Sequence, residues 1–275
     1  MSYTKLLKYA LVIPSIVLVA TVVQASNNGS DSAADLAYSA GWSSGTNGGT
    51  GFQAWSLSTS GTVFAGFFTG DSSTISGGTA NINTSGTSFK MFGNPDGSTY
   101  ANAYRSFAGG ALSVGQTFSI NLQVNYRNGN KGIDLFQNGF TVFNLNIGND
   151  FYNANNFING SGSANGTGSV DLYGSFYSAS TLFALSLTQT SGSSGTWSIT
   201  RSGDPALTGG QTGLVTGTYS GDPDQFHLYV GTTDNLSASD LAANSMSIIP
   251  EPSSVMLILS AIGAGSAFLG RRRRL

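Results

Sequence analysis

A two-residue alternation of apolar and polar side chains runs through Gln116–Tyr126 and constrains this chain more than any other feature. The apolar positions are Phe118, Ile120, Leu122, Val124 and Tyr126. Because successive side chains of a β-strand point to opposite faces of its sheet, this period is typical of a strand with one buried face. Shorter runs of the same kind recur between turns rich in Gly, Ser, Asn and Asp. The pattern predicts about a dozen strands in an all-β domain over residues 51–249.

Short, evenly spaced strands favour a two-sheet sandwich of the jelly-roll or concanavalin-like type. A β-helix is the alternative, although the body lacks the fixed repeat period that solenoids usually show. Asn138-Gly139 predicts a tight hairpin turn, because both residue types tolerate positive φ. The one helical segment is expected at Ser239–Asn244, and the small polar residues 26–50 are expected to form a flexible lead-in that becomes ordered near Tyr38 or Trp42.

Charge is scarce in this chain and unevenly distributed. Only 9% of the residues are charged, and six of the 11 basic residues lie near the two ends. Residues 26–249 contain five basic residues and 12 Asp, so this body has a formal charge of −7. Nucleic-acid phosphates bind clustered Lys and Arg, and the acidic body therefore argues against a nucleic-acid partner. The chain has no cysteine, which excludes disulfide bonds.

The first residues, Met1–Ala25, have the parts of a secretory signal peptide. Lys5 and Lys8 form its basic region, an apolar stretch follows, and Ala25 ends a pattern of small residues. We expect cleavage after Ala25 and export of the body. The alternative is an uncleaved membrane anchor, which Pro14 and the shortness of the apolar run disfavour.

The last residues combine three elements in a fixed order. Pro250-Glu251-Pro252 is followed by the uncharged, 17-residue segment Ser254–Gly270 and then by Arg271, Arg272, Arg273 and Arg274. An α-helix of this length extends about 26 Å, which is marginally enough to span the hydrocarbon core of a membrane. We expect a separate C-terminal transmembrane helix, with the arginines stopping transfer on the cytoplasmic side.

This tail, residues 250–275, resembles the PEP-CTERM sorting signal of Gram-negative bacteria. The resemblance implies that Pro250, Glu251 and Pro252 are recognised by exosortase, a membrane protease-transferase, and that Arg271–Arg274 act as the stop-transfer cluster. It also implies a transient anchor in the inner membrane, followed by transfer to the cell surface or extracellular matrix. The alternative is an ordinary single-pass anchor that keeps the protein in the inner membrane.

Residues suited to catalysis or metal binding are few in the body. Glycoside hydrolysis usually needs two carboxylates, and the only Glu of the chain is Glu251 in the tail. Asp222 and Asp224 are the nearest candidate pair for a Ca²⁺ ion, but a polar turn explains them more simply. His227, the only histidine, cannot build a multi-histidine zinc site and is expected to be a strand residue. We assign no catalytic residue, expect no cofactor and do not expect an enzyme.

Two functions are compatible with these residues. The first is a structural or adhesive protein of the cell surface or matrix. The second is a carbohydrate-binding domain, or with less support a carbohydrate-cleaving one, that acts on exopolysaccharide. Trp42, Trp55, Tyr100 and Trp197 could stack on sugar rings, although core packing is the stronger expectation for them. Arg105, a charge within an apolar strand, is predicted either to bind an Asp across the sheet or to mark a ligand groove.

Overall fold

The computed structural model describes residues 28–60, 64–73, 80–94, 99–124, 128–148, 151–156, 170–171, 181–202, 213–234 and 236–250, the short pieces 151–156 and 170–171 as backbone only. Within these ranges the chain forms strands, numbered β1 to β15 in chain order, and two short 3-10 turns at Leu36–Tyr38 and Ser237–Ser239. No helix in the described ranges is long and apolar enough to cross a membrane. The expected signal peptide and transmembrane helix lie outside the described residues.

The first sheet contains eight strands, and all of its neighbouring strands are antiparallel. In spatial order they are β13 (Gly213–Ser220), β12 (Ser194–Ser202), β11 (Thr181–Ser191), β6 (Gln116–Val124), β15 (Leu241–Pro250), β4 (Ser88–Gly93) and β3 (Ala65–Gly70), with β1 (Gly29–Asp31) paired to β15.

The second sheet contains seven strands and is also antiparallel throughout. In spatial order they are β10 (Val170–Asp171), β9 (Phe151–Asn156), β8 (Phe140–Gly148), β7 (Asn130–Gln137), β14 (Gln225–Gly231), β5 (Tyr100–Ser106) and β2 (Ser56–Ser60).

A hydrophobic core separates the two sheets. Phe118 of β6 and Phe226 of β14 are fully buried and stack across it, with ring centroids 5.1 Å apart. The alternation in β6 places Phe118, Ile120 and Leu122 in this core, and each such side chain contributes about 1.5–3 kcal/mol by leaving water. The expected all-β class and two-sheet sandwich are therefore confirmed. Antiparallel pairing throughout the described strands contradicts the β-helix alternative, whose strands run parallel.

The hairpin turn predicted at Asn138-Gly139 is present between β7 and β8. Gln137 pairs with Phe140, so the loop has two residues, and both have positive φ, 50° for Asn138 and 82° for Gly139. This is the backbone that matches the right-handed twist of the flanking strands.

The helix expected over Ser239–Asn244 is wrong. A 3-10 turn ends at Ser239, and Leu241 begins the long strand β15, which lies between β4 and β6. Leu241, Ala242 and Ala243 are all buried there. Pairing on both sides satisfies every backbone group of a buried segment, and this outweighs the weak helix preference of a short run that contains alanine.

The flexible lead-in expected over residues 26–50 is also corrected, from Asn28 onward. Strand β1 pairs with β15, and Thr50 forms a bridge with Ser30. Tyr38 and Trp42 of this segment are buried in the core. Small polar residues resembled a linker in sequence, but their backbone hydrogen bonds and a few aromatic anchors attach them to the first sheet.

Candidate functional site

The outer side of the second sheet carries a group of aromatic and amide side chains at its centre. Along β14, Phe226, Leu228 and Val230 point into the core, so the alternate residues point outward. We name the outward group the tyrosine–histidine face. Its members are Asn102 and Tyr104 of β5, Asp134 and Phe136 of β7, Asn144 and Asn146 of β8, and His227 and Tyr229 of β14.

His227 is the centre of this face. Register places it opposite Tyr104 on one side and Asp134 on the other. Its Nδ1 lies 3.1 Å from an Asp134 carboxylate oxygen, and its Nε2 lies 3.0 Å from the Asn102 side-chain oxygen. With both ring nitrogens engaged, the imidazole is held in one orientation. The prediction that His227 is a strand residue is confirmed, and the structure adds that both of its ring nitrogens are engaged.

The rings around His227 form a stacked group. Tyr104 is parallel to the imidazole within 6°, with centroids 4.1 Å apart. The Phe136 ring stacks with the imidazole at 5.9 Å, and the Tyr229 ring lies 5.5 Å away, tilted by 33°. Rings that stack in this way limit one another's rotation, so the surface is organised before any ligand arrives.

A hydrogen-bonded network borders this surface on the side of β8. The Asn144 side-chain amide donates to Asp134 at 2.8 Å and to the Tyr229 hydroxyl at 3.0 Å. The Tyr229 hydroxyl in turn donates to the Asn146 side-chain oxygen at 3.3 Å. Gly132 makes room for this arrangement, since a Cβ there would lie 2.8 Å from the Tyr229 hydroxyl oxygen.

Both tyrosines of the face keep their protons at neutral pH. Burial raises the pKa of the Tyr229 hydroxyl, and the nearby Asp134 charge raises it further. Burial and then Asp134 also raise the pKa of the Tyr104 hydroxyl. The face therefore offers the protonated Tyr104 hydroxyl, side-chain amides and one carboxylate around the stacked rings. Such an arrangement suits a flat ligand that carries several hydroxyl groups.

The outer side of the first sheet is chemically different at its β13 end. Rows of hydroxyl side chains run across four neighbouring strands there, with Thr117, Thr188, Thr196 and Thr218 in successive register positions. Thr117 and Thr188 hydrogen-bond each other through their hydroxyls at 2.7 Å. These four residues bring no aromatic ring to the surface, so this side provides matched positions for control substitutions.

Asp222 and Asp224, the candidate Ca²⁺ ligands, lie in the turn between β13 and β14. An Asp224 carboxylate oxygen accepts a hydrogen bond from the Asn138 backbone amide at 3.0 Å, which ties this turn to the β7–β8 hairpin. In the described parts of the chain, no group of three or more His, Cys, Asp or Glu could hold a metal ion. Two carboxylates, one of them engaged by an amide, do not fit the six to eight oxygens that Ca²⁺ takes.

The aromatic residues singled out in sequence belong largely to the core. Trp42, Trp55 and Trp197 are buried, so core packing is the confirmed interpretation for these three. Tyr100 is half-buried at the end of β5, where its hydroxyl accepts a hydrogen bond from the Asn130 side chain at 3.3 Å. The rings that do form an outer surface, on Tyr104, Phe136 and Tyr229, were not predicted from the sequence.

Arg105 points inward and binds an Asp. Of the two predictions made for it, an ion pair with an Asp or a ligand groove, the structure therefore supports the ion pair. The partner of Arg105 is Asp31 of β1, which belongs to the other sheet rather than to a neighbouring strand. The Arg105 side chain also donates to the Gln53 carbonyl at 2.9 Å and to Asn47 at 2.6 Å. Its guanidinium lies 4.8 Å from the Trp55 ring centroid. Arg105 is therefore a core residue that joins the sheets.

The expected sorting signal falls within the described residues only at its first residue, Pro250. Strand β15 ends at Pro250, which is exposed, and the preceding Ile249 is 53% exposed. The tail residues Glu251, Pro252 and Arg271–Arg274 lie outside the described residues, as does the expected cleavage site at Ala25.

Sequence reasoning found His227 but missed the residues that surround it. Asp134 and Asn144 lie 10 residues apart on the β7–β8 hairpin, whereas Asn102 lies on the more distant β5, and each is an ordinary polar position in its strand. Only the pairing of β5, β14, β7 and β8 shows that they meet.

No protein-family model matches the chain, and no curated protein matches it. It is similar to a solved structure described with endo-acting O-glycanases that the human gut microbiota express to initiate mucin breakdown (8% identity, TM-score 0.37, 60% of this chain and 80% of the other). It is also similar to the binding domain of botulinum neurotoxin serotype G (12% identity, TM-score 0.33, 76% and 47%). The serotype D ligand-binding domain, in complex with N-acetylneuraminic acid, is a further similar structure (11% identity, TM-score 0.37, 72% and 46%). The chain spans less than half the length of these two toxin domains, and the scores are too low to carry an argument about function.

Proposed function

We propose that the folded body binds an uncharged polysaccharide through the tyrosine–histidine face. The observation that carries this proposal is the parallel stack of Tyr104 on His227, bordered by Asn102 and the Asn144–Tyr229 network. The C–H faces of a sugar ring pack on aromatic rings, and its hydroxyls exchange hydrogen bonds with amide and carboxylate groups. A binding role needs no catalytic group, in agreement with the assignment of none from the sequence.

Charge supports an uncharged ligand over an anionic one. The four basic residues in the described ranges, Lys90, Arg105, Lys131 and Arg201, are all buried. The one charged side chain on the tyrosine–histidine face is Asp134, whose carboxylate is 18% exposed. A polysaccharide rich in uronic acids is negatively charged and would be repelled by the Asp134 carboxylate. The four buried basic residues offer it no exposed positive charge in return, so its binding to this face is disfavoured.

The test is binding of the purified full-length chain to immobilised uncharged and uronic-acid polysaccharides, together with assays for their hydrolysis. We expect binding to at least one uncharged polysaccharide and none to the anionic set. Tyr104→Ala should weaken binding at least about tenfold, which corresponds to about 1.4 kcal/mol. Thr200→Ala, an exposed position on the outer side of the first sheet, is the matched control and should bind like the unaltered chain.

Folding of both variants is checked by thermal unfolding. Absence of binding across the whole panel would contradict the proposal, and so would equal binding by Tyr104→Ala and the unaltered chain. Hydrolysis of a bound polysaccharide would show that the binding interpretation is incomplete and that the carbohydrate-cleaving alternative holds.

The second candidate concerns delivery rather than ligand binding, namely sorting of the exported chain by an exosortase-type system. Its motivation is the tail, with Pro250-Glu251-Pro252 ahead of an apolar segment and four arginines. The exposed end of β15 at Ile249 and Pro250 supports access of a membrane protease to the motif. Cell fractionation tests it. A form truncated near Pro250, found at the surface or in the medium, is expected, and full-length protein retained in the inner membrane would contradict it.

A further inference from the structure

A lysine and an aspartate are buried side by side at the edge where β15 begins. Lys90 lies on β4 and pairs in register with Ala242 of the neighbouring β15, two residues after Asp240. The Lys90 Nζ atom lies 3.9 Å from an Asp240 carboxylate oxygen, and the two side chains are only 5% and 7% exposed. A relaxed ion pair in water is closer, at roughly 2.7–2.9 Å, so these groups are held in contact without a short charge-assisted hydrogen bond between them.

The surroundings of this pair are poor in water. The Phe68 ring lies beside Lys90, with 5.1 Å between Nζ and its centroid. Lys131 reaches the same place from β7 in the other sheet and donates from Nζ to the Ser239 carbonyl at 2.6 Å. The other charged groups that act on the site are Asp71, towards Lys90, and Asp234, towards Lys131.

Burial disfavours the charged form of both partners. It lowers the pKa of the Lys90 ammonium, against the raising effects of Asp240 and Asp71. Burial also raises the pKa of the Asp240 carboxyl to about 6, despite the two nearby lysines. Transfer of one proton from Lys90 to Asp240 would give a neutral amine beside a neutral carboxylic acid, and burial lowers the cost of this neutral pair relative to two charges.

We propose that Lys90 and Asp240 condense into an intramolecular amide that cross-links β4 to the start of β15. The Lys90 Nζ lone pair attacks Cγ of the protonated Asp240 carboxyl and forms the C–N bond. The nitrogen then loses its proton, the C–O bond to the hydroxyl breaks, and that hydroxyl leaves with the proton as one water molecule. No oxidant, reductant or cofactor is needed, because the reaction is a condensation.

Three features of the fold favour this reaction. The neighbouring strands hold the two groups close to reacting distance, which replaces an encounter in solution by an intramolecular step. Lys131, whose charge acts on Asp240, can stabilise negative charge that develops on the carboxyl oxygen during attack. The product removes two buried charges, and it supplies a covalent link to a chain that has no cysteine for disulfides.

Peptide mapping by mass spectrometry tests the proposal on the purified full-length chain. We expect a branched peptide that joins the segment containing Lys90 to the segment containing Asp240, lighter by one water molecule than the sum of the two. The denatured chain should also migrate faster in a gel than an unlinked chain, because the link closes a large loop. This readout comes from the unaltered protein and does not depend on the folding of a variant.

Lys90→Arg keeps the positive charge but replaces the amine, and Asp240→Ala removes the carboxyl. Both variants should yield the two separate peptides and the slower gel mobility. Recovery of both peptides unlinked from the unaltered, folded protein would overturn the proposal. A branched peptide through Lys131 instead of Lys90 would overturn the assignment of the nucleophile. Neither result bears on polysaccharide binding, because the cross-link and the tyrosine–histidine face share no residue.

Discussion

Arg105 and Asp31 form a buried ion pair that joins the two sheets of the sandwich. Arg105 belongs to β5 in the second sheet, and Asp31 belongs to β1, which is attached to the first sheet. The Tyr38 hydroxyl donates to the same Asp31 carboxylate at 2.7 Å. The short strand β1 is thereby anchored to a residue in the middle of the fold.

Removal of one partner of this pair should be strongly destabilising. Asp31→Ala leaves the Arg105 guanidinium buried without its carboxylate, and we expect a loss of about 3–5 kcal/mol in the free energy of unfolding. Denaturant titration measures it. The double variant Asp31→Leu/Arg105→Met removes both charges and should lose less than Asp31→Ala alone. A double variant as unstable as the single one would argue against an uncompensated charge as the cause.

The β7–β8 hairpin gives a prediction about a single glycine. Gly139→Ala places a Cβ on a residue with φ of 82°, and we expect a loss of about 1–2 kcal/mol in the free energy of unfolding. Gly192→Ala is the control, since a Cβ there meets no atom within 4 Å and its φ lies outside the left-handed region. The control should change stability by less than about 0.5 kcal/mol. Equal losses in the two variants would show that positive φ is not the cause.

Because Lys131 is buried, we predict that the free energy of unfolding rises with pH in the alkaline range. Burial lowers the pKa of its ammonium from 10.5 to about 7 in the folded chain. Between these values the unfolded chain binds the additional proton, so the free energy of unfolding increases as pH rises from about 7 to 10.5. The limiting slope for one proton is about 1.4 kcal/mol per pH unit.

Denaturant titration across this range measures the slope, and Lys131→Met should flatten it. A slope that is unchanged in Lys131→Met would assign the effect to another group. Because the variant removes a buried cation from beside the Ser239 carbonyl, its stability is compared with its own value at pH 7 rather than with the unaltered chain.

Salt dependence provides a test of the charge argument for the tyrosine–histidine face. Stacking and neutral hydrogen bonds dominate the proposed contact with an uncharged polysaccharide, and both are little affected by screening. A tenfold increase in salt should change the apparent affinity by less than about twofold. A steep loss of affinity with salt would indicate an anionic ligand that reaches basic residues outside the described ranges.

Much of the fold could be predicted from the sequence because its signals are local. The alternation that begins at Gln116 correctly indicated a strand with one buried face, as far as the described Val124, and Asn138-Gly139 correctly indicated a two-residue hairpin. The two errors, at residues 26–50 and at Ser239–Asn244, concern segments with weak local preferences. In residues 26–50, strand β1 is held by its pairing with β15. At Ser239–Asn244, the start of β15 is held by its pairing with β4 and β6. Both pairings depend on strands that are distant in sequence.

The sequence by itself determined that this is an all-β body, which residues of its most regular strand face outward, and that its basic residues are few. The sorting signal and membrane segment expected in the tail lie beyond Pro250, outside the described residues, and stay predictions. Only the tertiary structure decided that Tyr104, Asp134, Asn144 and His227 share one surface. The physical reason is that a period of two assigns the face of each side chain, whereas neighbours across a sheet depend on strand order and register. Those are set by the packing of the whole core, and no local pattern encodes them.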